Sequence, residues 1–105
     1  MSMLDTYRNN LLRKREEAAK LNQDLAKEQA KIAPLQQKII SANAAIGRTK
    51  SASTIKSKLN EIERANKAIA DTQKKVGDIQ KKLAQKEKEI AAAEKTYHNA
   101  VSYTH

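Results

Sequence analysis

No cysteine, tryptophan or phenylalanine occurs in this chain of 105 residues, and only 3% of it is aromatic. The missing cysteines exclude disulfides and thiolate metal sites. The missing aromatics leave too little bulk for a compact globular core. One Pro and two Gly give the backbone few places to turn. No apolar run approaches the roughly 18 residues of a membrane-spanning helix, and the first residues carry no signal-peptide pattern. A cytoplasmic location without a membrane span is the resulting expectation, and the length allows one domain at most. What is present is Ala, Lys, Gln, Glu and Ile, with 31% charged residues, the composition of long solvent-facing helices. A formal charge of +9 makes attraction to polyanions available.

Apolar residues recur every seventh position in both halves of the chain. The first series is Leu4, Leu11, Ala18, Leu25, Ile32, Ile39 and Ile46; the second is Ile55, Ile62, Ile69, Val76, Leu83, Ile90 and Tyr97. A seven-residue period marks a helix whose seam faces another helix. Folded back near residue 50, the series pair from Ile46 with Ile55 out to Leu4 with Tyr97, every pair summing to 101. The first partner of each half is therefore the other half. A supporting seam lies three residues on: Tyr7, Leu21, Leu35 and Ala42, then Ala65, Thr72, Ile79, Ala93 and Ala100. Lys14, Glu28, Lys58 and Lys86 interrupt it. The reading is all-α: a long antiparallel two-helix coiled-coil hairpin forming one domain over 1–105. Its first helix covers about 4–46, its bend about 47–53 and its second helix about 54–103. Such helices would be about 65–75 Å long at ~1.5 Å per residue.

Gly47 follows the last apolar residue of the first helix, where a left-handed cap is commonly needed. Ser51, Ser53 and Thr54 offer hydroxyls to the first free amides of the second helix. Pro34 and Gly77 offend the helices, at costs of about 3 and about 1 kcal/mol respectively. The apolar register continues through both, which predicts a kink at Pro34 rather than a break. A tolerated local defect and a hinge required by a partner are both consistent with it.

A lone hairpin buries one seam, which leaves it marginal against the cost of ordering each residue. Leu12, Ala19, Ala26, Ala33 and Ile40 lie beside the first seam, and Ala70, Gly77, Ala84 and Ala91 beside the second. Small residues at this spacing allow close helix approach, so these rows predict dimerisation of two hairpins into a four-helix bundle. Ala is also simply the best helix former and fills neutral positions.

The catalytic inventory is short. His98 and His105 are seven apart, too far for a one-turn metal site, and no Asp, Glu or His grouping has metal-ligand spacing. No His lies near the Ser and Thr of the bend, and no glycine-rich phosphate loop occurs. Glu16 and Glu17, Glu61 and Glu63, and Glu87 and Glu89 read as solvated faces paired locally with Lys and Arg. The expectation is a protein that is not an enzyme and uses no cofactor or metal. From Gln29 to Asn60 there is no acidic residue, while Lys31, Lys38, Arg48, Lys50, Lys56 and Lys58 are present. The fold-back gathers them at the bend. Of these, Arg48, Lys50, Lys56 and Lys58 are the candidate contacts for an anion or an anionic partner. Without a stacking aromatic or a known motif, docking of nucleic acid there has little support.

The segment from Gly47 to Arg64, continuing from Ile69 to Leu83, is more specific than coiled-coil composition. It resembles the N-terminal coiled-coil region that precedes the Toll/interleukin-receptor-like (TIR) domain in bacterial TIR proteins. There a "K-S-x-S-T-x-K-S-K" segment is followed by repeats similar to "D-I-Q-K-K-L". The matching positions are Lys50, Ser51, Ser53, Thr54, Lys56, Ser57 and Lys58, then Asp78 to Leu83. The resemblance covers most of the chain and is strong only over residues 45–90. It implies a region that brings NAD-cleaving TIR domains together. No TIR domain is present in these 105 residues, so no catalytic residue carries over. The expected function is therefore non-catalytic self-association, most simply as a homodimer, clustering an appended or separate effector domain. The rival is a basic module docking nucleic acid or another anionic surface through the bend.

Overall fold

The computed structural model describes residues 2–104, except for the side chain of Thr104, and contains three helices: α1 Met3–Gln29, α2 Ile32–Arg48 and α3 Ala52–Thr104. No strand occurs among the described residues. The arms of the hairpin run antiparallel, α1 packing against the C-terminal part of α3 and α2 against its N-terminal part. Ser2 opens α1, its Oγ accepting the Asp5 N–H at 3.1 Å and its carbonyl the Thr6 N–H at 3.2 Å. At the bend, Ser51 caps α3: its Oγ accepts the Thr54 N–H at 3.4 Å and its carbonyl the Ile55 N–H at 3.0 Å. Thr49 Oγ1 accepts the Ser51 N–H at 3.2 Å, which holds the turn between the helices. Only Thr49, Lys50 and Ser51 lie outside the helices here, a tighter bend than 47–53.

Gly47 is not the left-handed cap that the sequence suggested. No described residue has positive φ, and α2 runs through Gly47 to end at Arg48. Thr49 turns the chain by becoming extended, at φ −117° and ψ 151°, while its N–H reaches back to the Ile46 carbonyl at 3.5 Å. Thr49 and Ser51 therefore do the work assigned to the glycine.

The kink expected at Pro34 is a two-residue interruption placed upstream of it. The ring of a proline displaces the carbonyl four residues earlier, here that of Ala30. The helix opens at Ala30 and Lys31, where the Lys31 N–H donates to Glu28 O at 3.1 Å in a tighter, three-residue bond. Pro34 then sits in the first turn of α2, where an amide proton has no intrahelical acceptor to lose. This relocation makes the proline much cheaper than it would be in mid-helix.

α3 runs uninterrupted through Gly77, which is helical and has nothing within 4 Å of where a Cβ would stand. Gly77→Ala is therefore expected to stabilise the fold by about 0.5–1 kcal/mol, through helix propensity and a less free unfolded chain. A lower urea midpoint for the variant would show that this stretch is not helical in solution.

The helices pack as two units, one of the described residues through Leu25 with those from Asp78 on, the other of Ala26–Gly77. In both units the heptad rows read from sequence face inward. Leu4, Leu25, Ile32, Ile39, Ile46, Ile55, Ile62, Ile69, Val76, Ile90 and Tyr97 are half-buried, and Leu11 and Leu83 are buried. The supporting seam supplies buried Ala42, Ala65, Thr72 and Ala93. Among the described residues no large side chain is fully enclosed, as a single helix–helix seam dictates.

Candidate functional site

The seam of the first unit contains a cross-hairpin ionic quartet. Lys14 Nζ donates to Glu89 Oε1 at 2.8 Å, and Lys86 Nζ to Glu17 Oε2 at 2.7 Å, with Glu89 a further 3.6 Å from Lys86. Lys14 and Lys86 are the two interruptions of the supporting seam in this unit. Their aliphatic stems fill seam positions while their ammonium groups reach the edge, leaving each side chain under a fifth exposed. Glu17 and Glu89 are thus not merely solvated helix faces paired locally. The local pair of Glu17 with Arg13 exists at 3.7 Å, but the shorter bond crosses to the other arm. The signal was present in the numbers: 14 with 89 and 17 with 86 each sum to 103. Arg15 and Glu94 add a looser cross-arm pair at 3.6 Å.

These contacts move the carboxyl pKa values below the ordinary 4.5: for Glu17 chiefly through the bond from Lys86, for Glu89 through that from Lys14, with partial burial opposing both. Lys86 is raised above 10.5, chiefly by its bond to Glu17. A carboxylate with a lowered folded pKa stabilises the fold above its unfolded value and loses that contribution as pH falls through the folded one. The Lys86 contribution is present below 10.5 and fades only as pH rises through its raised value. We predict that acidification past 4.5 lowers the urea midpoint, and that Glu17→Gln with Glu89→Gln flattens this dependence. An equally steep fall in the variant would remove the quartet from the cause.

In the second unit, Glu28 interrupts the seam and takes a 2.8 Å bond from Lys31 through Oε1. That bond, opposed by partial burial and aided by the charges of Lys31 and Lys75, depresses its pKa. Lys58 is held 3.4 Å from Glu61.

The rows predicted as a second interface are accounted for in each unit separately. In the first unit Leu12, Ala19, Ala84 and Ala91 are exposed. In the second, Ala26, Ala33, Ile40 and Ala70 are exposed, and Gly77 is half-buried. Leu12 is 47% and Ile40 60% exposed. Sequence reading missed Leu59, four residues beyond Ile55 on the same flank of α3, which is 53% exposed. The outward ridge of α3 is different in kind: Lys67, Lys74, Lys81, Lys88 and Lys95 are exposed at seven-residue intervals and have no ion-pair partner among the described residues.

Of the cations at the bend, Arg48, Lys50 and Lys56 are exposed, while Lys58 is half-buried against Glu61. Within Ala26–Gly77 lie eleven of the chain's 21 Lys and Arg but four of its 12 Asp and Glu, a formal +7 out of +9. A groove of about 710 Å³ opens between α2 and α3 of this unit. Ala42 and Ala65 lie at its base, Leu35, Ala68 and Pro34 line it, and Lys38 and Arg64 stand on opposite walls.

No cluster of His, Asp or Glu able to hold a metal occurs among the described residues; His98 is exposed, and His105 lies outside them. No described helix is long and apolar enough to cross a membrane. Comparison with protein-family models, with curated proteins and with solved structures finds no match to this chain.

Proposed function

We propose that this chain is a non-catalytic self-association module whose hairpins pair, most simply as a homodimer forming a four-helix bundle. The observation that carries the reading is the exposed apolar flank: Leu12 in one unit, and Ile40 with Leu59 in the other, set among exposed alanines. Exposed leucines scattered singly need no explanation. Leu12 and Ile40 stand in a row otherwise filled by Ala, and Leu59 adds a third large apolar side chain at an exposed position, a pattern that a second hairpin would cover. Small neighbours let helix axes approach closely, which the long polar side chains usual at exposed positions would prevent. The resemblance to TIR-associated coiled coils adds the consequence: paired hairpins would bring appended or separate effector domains together.

Light scattering at several protein concentrations tests the reading. We expect the mass of two chains at tens of micromolar, persisting at high salt because apolar burial drives the association. A strictly monomeric particle at that concentration would refute it. Assembly that appears only with added nucleic acid and falls steeply with salt would instead favour docking through Arg48, Lys50, Lys56 and Lys58.

A further inference from the structure

We infer that the groove between α2 and α3 is a docking site for an acidic amphipathic helix of another protein. Its origin is in the seam. Where Ala42 and Ala65 stand in place of larger residues, the two helices have no long side chains to roof the space beside them, and both residues are almost fully buried at its base, at 2% and 4% exposure. Leu35 and Ala68 are half-buried and Pro34 exposed, so apolar carbon faces the opening. The walls are cationic. Lys38 and Arg64 are exposed and have no ion-pair partner among the described residues, while the Lys58–Glu61 pair on the same groove neutralises itself.

Apolar floor and cationic walls together select the occupant. A helix with Leu or Ile on one face and Asp or Glu on its flanks covers the floor and meets both walls. A second copy of this groove is the wrong occupant, because its own Lys38 and Arg64 would be brought against the same two cations. Nucleic acid satisfies the walls but has no apolar face for the floor, and no Tyr is within this unit to stack on a base. The groove runs along the rows of Leu35 and Lys38, whereas the apolar flank runs along that of Ile40. The inference therefore stands independently of self-association.

The test uses the full chain and a fluorescent three-heptad peptide with Leu at every first and fourth heptad position and Glu on the flanks, read by anisotropy. A control peptide has the same composition with its Leu residues scattered around the helix. We expect saturable binding of the first peptide and at least tenfold weaker binding of the control. Lys38→Glu with Arg64→Glu should weaken binding at least tenfold, with helicity unchanged because both side chains are exposed. Ala68→Lys separates docking from charge attraction. It adds a positive charge but puts a long side chain across the groove, so docking predicts weaker binding and simple attraction predicts stronger. Tighter binding by Ala68→Lys, equal binding of the scattered peptide, or full affinity after the double charge reversal would each overturn the inference.

Discussion

Leu11→Ala combined with Leu83→Ala is expected to leave the chain largely unfolded at 25 °C. Among the described residues these are the large apolar side chains that are buried, at 5% and 7% exposure; the other buried residues are small, Ala42, Ala65, Thr72 and Ala93. A buried Leu→Ala change costs about 2–5 kcal/mol, toward the lower end where surroundings can relax into the gap. Two such changes remove about 5 kcal/mol, comparable with the whole stability of a typical domain, about 5–15 kcal/mol. A single helix–helix seam has no second layer of packing to absorb the loss. The measurement is circular dichroism at 222 nm through a urea titration. The control is Leu12→Ala, one residue from Leu11 and on the exposed flank, which should shift the monomer's midpoint little. If the double variant unfolds at the midpoint of the unchanged chain, the heptad seam is not what holds the hairpin.

The second large effect falls on assembly. Replacing Leu12, Ile40 and Leu59 together with Gln keeps helix-forming residues at exposed positions, so each hairpin should retain its helicity. Each side chain is about half exposed, and covering the remainder contributes on the order of 1 kcal/mol. Six such side chains in a pair of hairpins give about 6 kcal/mol, or roughly four orders of magnitude in dissociation constant. The triple variant should therefore scatter light as a single chain at concentrations where the unaltered protein scatters as two. Undiminished mass would move the contact to another face, and lost helicity would mean that these residues serve the hairpin itself.

Much of the fold was legible in the sequence because period seven is a geometric signal. Every residue of the two series lies on the inner face, and Ser51, chosen for its hydroxyl, does cap α3. Two local features were misread for one reason: a residue's intrinsic tendency was taken for its use. Gly47 can adopt a left-handed conformation but stays helical, because Thr49 ends α2 in extended backbone. Pro34 disrupts the helix, but through the carbonyl it displaces, so the opening appears at Ala30 and Lys31. The exposed face was half legible. Alanine rows pointed to it, while Leu59 stands in a row otherwise polar as far as Glu94 and drew no notice. The groove was not legible, since an unroofed space depends on how closely α2 and α3 approach at Ala42 and Ala65. The paired charges of the seam were hidden by treating Lys14 and Lys86 as interruptions of an apolar pattern.

Those four charges settle a question that the apolar repeat leaves open. A heptad seam shifted by one full repeat still sets apolar rows against apolar rows, so burial alone discriminates weakly between alignments. The charges do not forgive the shift. Displaced one way, Lys14 would come beside Lys82, Glu17 beside Ile79, Lys86 beside Asn10 and Glu89 beside Tyr7. Displaced the other way, Lys14 would face Thr96, Glu17 Ala93 and Glu89 Leu21, and only Lys86 would find an acid, in Asp24. Stripping partners from charges at a half-buried seam is unfavourable in either direction. Within one chain, the short bend already forbids such slippage. In a pair of chains that exchanged arms no bend would enforce alignment, and the quartet alone would admit one phase of the repeat and reject its neighbours.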